Sequence, residues 1–210
     1  MFCDDDIVFN NNAILNMDKF IKKKPSFIGY GFNLIEKDNN TFIERFKKGK
    51  LFSNYNLYSG IPGTVCNNGW HTKISNISRE TKAMWLSTQA SVYRVGYLNN
   101  SKFNINLGNY SYLEDLFFSY NLYKKGDLGI CHSAKYKHPN NIDRSDYNFG
   151  KQEFINRYKF VKKFKLNKKK FYITALIKLL YNLINISFGK LRFLPKFFGN
   201  IVGIIQCLKN

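Results

Sequence analysis

Three consecutive carboxylates, Asp4, Asp5 and Asp6, follow the apolar lead-in Met1-Phe2-Cys3 and precede the β-type run Ile7-Val8-Phe9. Hard oxygen ligands grouped at a strand end suit a divalent cation, and a cation held there can neutralise a diphosphate. A second acidic site lies far along the chain, in the stretch SYLEDLFFSYNLYKKG from Ser111 to Gly126. It reads as a helix with Glu114 and Asp115 at its positive end and Lys124 and Lys125 at its negative end. Gly126 falls where a left-handed glycine cap belongs. Each feature has a structural alternative. The triplet also fits a solvated acidic terminus or a helix cap, and an acidic pair at a helix start contributes about 0.3–1 kcal/mol by charge alone.

The elements that must position these groups read as mixed α/β from residue 1 to 139, with asparagine-rich turns at Asn10 to Asn12 and at Asn39-Asn40. Asp18 to Lys24 has the character of a helix end stopped by Pro25. Phe27 to Phe32 is then a strand whose glycines, Gly29 and Gly31, fall on one face, giving either close approach to a ligand or backbone, or a bulge or bend. The polar stretch from Asn140 to Gly150 marks a boundary.

The order of these motifs resembles that of the family 2 glycosyltransferases of the GT-A fold. Their pattern is an Asp-x-Asp after an apolar strand, a Trp-led acceptor segment, an apolar-Glu-Asp-apolar motif opening a helix, and a closing histidine. Here these correspond to Asp4 to Asp6, ETKAMWLSTQASVYR (Glu80 to Arg94), Leu113-Glu114-Asp115-Leu116, and His138 in AKYKHP. NRYKFVKK, Asn156 to Lys163, is similar to a segment that follows in polysaccharide and lipopolysaccharide sugar transferases. The resemblance implies a nucleotide-diphosphate sugar as donor, a glycan or lipid-linked acceptor, and transfer with inversion in cell-surface polysaccharide or lipopolysaccharide assembly. It implies Mn2+ or Mg2+ on Asp6, with Asp4 on the metal or the ribose and His138 completing the metal or diphosphate site, and Asp4, Asp5 and Asp6 facing the nucleotide-sugar diphosphate. It makes Asp115 the base, beside Glu114, and gives Trp85, Ser87, Thr88 and Gln89 to the acceptor. Many members have paired glycines where this chain has Ser87, Thr88 and Gln89. The fold it implies is α/β, the C-terminal acceptor half of a GT-A-like mixed sheet followed by an α-helical tail. The family's N-terminal nucleotide-binding half has no counterpart here. It is expected upstream, on a separate polypeptide, or lost, and the chain alone is expected to transfer little sugar.

At 210 residues, 44% hydrophobic and 17% aromatic, the chain can bury a core. Cys3, Cys66, Cys131 and Cys207 are widely separated, which favours reduced thiols over a disulfide framework or zinc site. The formal net charge is +19, and residues 151–210 hold 14 of the 33 basic residues against a single acid. Glu153 to Lys170 reads as a basic helix whose Lys168-Lys169-Lys170 end is either helical or a solvated turn. Two apolar segments follow, each with one polar stripe at helical spacing: Thr174, Lys178, Asn182 and Asn185, then Arg192, Lys196, Asn200 and Gly203. Residues 140–210 are therefore expected as helices lying in an anionic membrane interface on the cytoplasmic face, with a spanning hairpin as the alternative. Nucleic-acid binders rarely follow concentrated charge with long apolar segments. A noncatalytic basic protein that binds membrane or nucleic acid is the competing class, separable by salt dependence.

Overall fold

The computed structural model describes residues 1–36, 54–99, 101–103, 107–108, 112–139 and 144–209. Asn39, Asn40, Ser111 and the Asn140 end of the expected boundary lie outside them. The elements in chain order are β1 (Phe2–Cys3), β2 (Val8–Phe9), α1 (Ala13–Lys23), β3 (Gly29–Leu34), β4 (Thr81–Ala83), β5 (Ala90–Tyr93), α2 (Glu114–Tyr123), β6 (Leu128–Lys137), α3 (Tyr147–Lys163), α4 (Lys168–Ser187) and α5 (Leu194–Leu208). The architecture is mixed α/β, a curled mixed sheet followed by C-terminal helices.

The strands run β1-β5-β3-β6-β2, and β4 also pairs with β6. Among the described strand pairs, β3 and β6 alone are parallel. β1 and β2 thus lie toward opposite edges although four residues, Asp4 to Ile7, separate them. Five extended steps reach about 18 Å at most, no more than the roughly 19 Å that four strand spacings cover in a flat sheet. Asp5 and Asp6 form a turn rather than an extended run, so the sheet has to curl for this connection to close.

A register shift in β6 supplies much of that curl. Phe32 of β3 faces Cys131, but the next residue, Asn33, faces Lys135. The fully buried Asn33 side chain holds the irregularity: its amide donates to the carbonyls of His132 (2.9 Å) and Ile77 (3.0 Å) and its oxygen accepts from the Ile77 amide (3.0 Å). Beyond the shift, Tyr136 and Lys137 pair with Phe9 and Val8 of β2.

α1 forms where the asparagine turn ends. Ala13 donates to the Asn10 carbonyl, and Asn12 takes a left-handed φ of 62°. Ala13, Met17 and Phe20 recur on one face and bury it against the sheet. The helix ends at Lys23, before Pro25. All of β3 is buried, and its glycines make room for protein: a Cβ on Gly29 would meet Leu128 and Tyr93, and one on Gly31 would meet Leu86. The other face of the sheet packs on α2, with Leu116, Phe117, Phe118 and Tyr120 joined by Phe160 of α3.

Three expectations change. Gly126 is not left-handed; its smallness matters because a Cβ there would press on Ile28 at 2.9 Å. The basic helix expected over 153–170 is two helices, because Asp146 caps α3 at Phe149 and Asn167 caps α4 at Lys170, with a break at the left-handed Lys165 between them. The polar stripes of α4 and α5 face inward, apart from Arg192, which precedes α5 and is exposed. Asn182 donates to Asn200 (2.8 Å) and Asn200 to the Gly150 carbonyl (2.6 Å).

Replacing Asn33 with Leu keeps the volume but strands two carbonyls and one amide in the core. Chemical denaturation of Asn33→Leu should show a loss of about 2–4 kcal/mol; a loss under about 0.5 kcal/mol would mean that the β6 irregularity holds without it.

Candidate active site

The curl joins residues from opposite ends of the first 139. Asp4 precedes and Asp6 lies in the turn between β1 and β2, anchored by the Asp4 amide donating to the Gln89 carbonyl (3.0 Å) and the Asn10 amide donating to the Lys135 carbonyl (3.0 Å). His138 follows the last residue of β6. Its Nε2 lies 3.1 Å from Asp6 Oδ1 and 3.5 Å from Asp4 Oδ2, and one ligand atom from each residue falls within 4.8 Å of the others. The two carboxylates are half exposed, at 43% and 51%, while the imidazole is 7% exposed. Its Nδ1 is buried without a hydrogen-bond partner among the described residues. Asp5 is exposed and stands outside the group.

These donors fit a hard divalent cation. Ligands about 2.1 Å from an octahedral ion are about 3 Å apart when adjacent, close to the separations between His138 and the two carboxylates. Two carboxylates and one imidazole leave coordination positions open to a phosphate oxygen.

A cleft of about 250 Å3 opens at Asp4, lined also by Phe2, Cys3, Thr88, Phe103 and Glu114. Its aromatic wall is fixed by packing: Phe2 meets Phe103 and Phe118 edge-on at 5.7 Å, and Phe103 stacks on Phe118 at 4.3 Å. Of the four residues assigned to the acceptor, Thr88 lines this cleft. Gln89 holds β1 through its carbonyl and accepts from the Tyr136 hydroxyl (3.3 Å). Ser87 bonds within its own turn, accepting from the Gln89 amide. Trp85 is in the core, its Nε1 donating to the Thr72 carbonyl (3.0 Å) and its ring against His71. Burial and the nearby cations Arg157, Lys178 and Arg144 push His71 well below the usual histidine range, so it packs there as a neutral ring.

Glu114 and Asp115 open α2 as expected, but their environments differ. Glu114 lines the cleft. Asp115 turns its Oδ1 back to accept from the Leu116 amide (2.7 Å). Burial pushes its carboxyl up to about 6, with the Glu114 charge adding to the rise and the Leu116 hydrogen bond opposing it. A carboxylate in that range can take a proton near neutral pH.

Two residues not anticipated from sequence fix this pair. Leu113, which caps α2, is buried in a left-handed conformation with φ 76°, one that a branched side chain adopts at a cost of about 1–3 kcal/mol. Ser119, one turn after Asp115, donates to the Asp115 carbonyl (2.6 Å) and accepts from the Leu86 amide (3.0 Å). It ties the Trp85-to-Gln89 segment to the acidic end of α2. A serine four residues after an acid, within LFFSYNL, was the available signal.

No family model, curated protein or solved structure matches this chain.

A carboxyl raised to about 6 in the folded state, against its ordinary 3.8, favours the fold when protonated. That contribution is complete below about pH 4 and is lost as pH rises through 6. Asp115→Asn keeps the shape and the bond from Leu116. It should therefore stabilise the protein at pH 7 by about 1–3 kcal/mol and by nothing near pH 4; thermal melts at the two pH values check this, and equal melting changes at both would contradict it.

Proposed function

We propose that this chain carries the catalytic and acceptor side of a GT-A-like, inverting sugar transferase of the family 2 type. The substrates are a nucleotide-diphosphate sugar and a hydroxyl on a glycan or lipid-linked acceptor in cell-surface polysaccharide assembly. One observation carries the proposal: His138 meets Asp6 at 3.1 Å and Asp4 at 3.5 Å, at the mouth of a cleft that Thr88 and Glu114 also line. Those residues come from the motifs whose order resembles that family, and the fold joins them despite their separation in sequence.

Sugar transfer has two electrostatic demands, a leaving diphosphate to neutralise and an acceptor proton to remove. Asp4, Asp6 and His138 would hold Mn2+ or Mg2+, which when bound supplies the charge for the diphosphate. Asp115 accepts the acceptor hydroxyl's proton. Its desolvated carboxyl is basic enough near neutral pH, where an ordinary solvated aspartate would be a weaker base. Glu114 shapes the acceptor side of the cleft. Ser119 and the strained Leu113 keep the two carboxylates in fixed register. Single displacement at the anomeric carbon inverts its configuration.

The decisive binding test is calorimetry with a nucleoside diphosphate in Mn2+ and in chelator. Binding should require Mn2+, and Asp6→Ala should weaken it at least tenfold; binding indifferent to chelator would remove the metal from the account. In a version completed with the nucleotide-binding half, Asp115→Asn should lower turnover about 10²- to 10⁴-fold with nucleotide binding intact. Near-normal turnover in Asp115→Asn combined with loss in Glu114→Gln would give the base role to Glu114.

A further inference from the structure

The C-terminal helices are built inside out relative to a water-facing pair. On α4 the exposed large apolar side chains are Ile173, Leu176, Leu180, Leu183 and Ile184; on α5 they are Leu194, Phe198, Ile205 and Leu208. At 100° per residue each set falls on a single stripe. The opposite stripe is polar or small apart from Phe171, which is buried against Trp70 and Tyr158. Thr174 accepts from Asn68, Lys178 pairs with Glu153, and Asn182 bonds Asn200. On α5, Gly199 and Gly203 bring the backbone against α3, and Gly150 of α3 answers them: a Cβ at any of the three would run into the facing helix's backbone. Helices joined by glycines and amide hydrogen bonds, with leucines turned outward, are arranged as helices in contact with hydrocarbon are.

Charge identifies the occupant of that face. The one acid of residues 151–210, Glu153, is buried between Lys178 and Lys196. Burial alone would raise it, but those two ammonium groups hold it down at about 2. The outward lysines of these sixty residues include Lys159, Lys162, Lys168, Lys169, Lys190 and Lys209. Three of them, Lys159, Lys162 and Lys209, line a cleft of about 390 Å3 between α3 and α5, with Tyr158, Cys207 and Gln206. Lys162 and Lys168 both lie within 6 Å of the Tyr158 ring. Ile205 and Leu208 open outward beside this cleft.

Residues 191–208 are long and apolar enough to cross a membrane. The packing nevertheless opposes a crossing, because α5 lies against α3 from Tyr147 to Phe154 and Cys207. α3 carries charges and packs Phe160 into the core with α2, so α5 cannot traverse hydrocarbon without it.

We propose that α4 and α5 dock face-down on an anionic phospholipid bilayer, with the outward stripes in the acyl boundary and lipid phosphates in the lysine-lined cleft. This inference is independent of the sugar-transfer reading. It is tested by flotation of the full chain with phosphatidylcholine vesicles with and without phosphatidylglycerol. The protein should float with the anionic vesicles. Leu176→Ser combined with Leu180→Ser and Phe198→Ser should lower that affinity at least 100-fold with an unchanged circular dichroism spectrum, since all three side chains are already exposed. Lys159→Gln combined with Lys162→Gln and Lys209→Gln should cost about fivefold per lysine at low salt and little at high salt. Undiminished flotation of the Leu176/Leu180/Phe198 variant overturns the proposal. So does a wild-type dimer that this variant splits while vesicles are ignored, which would give the face to a second copy. Binding of inorganic phosphate without vesicle binding overturns it in favour of a soluble phosphate ligand.

Discussion

The connection from β1 to β2 is the constraint on which the rest of the sheet depends. Four residues must carry the chain from a strand beside β5 to a strand beside the end of β6, and two of them are in a turn. Only a curled sheet permits this. The register shift in β6 supplies much of the curl, and Asn33 satisfies the polar groups which that shift strands inside the core. One consequence is chemical. The short connection is made of carboxylates, and the strand that must bend toward it ends at His138, so the same geometry that closes the sheet assembles Asp4, Asp6 and His138.

The site separates its carboxylates by environment. Asp4 and Asp6 remain half exposed beside a histidine. Asp115 is desolvated against the sheet and held at about 6. Its position costs stability twice, through the buried charge and through the left-handed Leu113 that starts α2. Strain and a disfavoured charge on adjoining residues are typical of sites where geometry is held for chemistry rather than for folding. Ser119 couples this acid to the segment from Trp85 to Gln89, so a shift on either side of the cleft is felt on the other.

What the sequence made legible was local. The helix end at Asp18 to Lys24, the proline after it and the acids at the start of α2 each act within a few residues, and their elements form where those signals lie. The Asp4–Asp6–His138 group was anticipated through motif order, because no local rule links a residue near one end of a segment to a histidine near the other. The β6 irregularity was illegible, since it depends on Asn33 in a different strand. Trp85 was equally ambiguous: an indole suits a sugar face or a core, and the bond to the Thr72 carbonyl that places it in the core is a tertiary fact. The stripes of α4 and α5 show the limit most clearly. Periodicity established that each helix has one polar face, but only the neighbours Glu153, Gly150 and Asn68 determine that this face points inward.

We propose that the curl of the sheet makes Asp4, Asp6 and His138 a single cation site. The most direct measurement is pulsed electron paramagnetic resonance of Mn2+ bound to the protein, which detects a directly coordinated imidazole nitrogen. The account predicts a nitrogen coupling in the wild type that disappears in His138→Ala, with Mn2+ affinity falling in that variant. Bound Mn2+ with no nitrogen coupling, or with a coupling that survives His138→Ala, would contradict it.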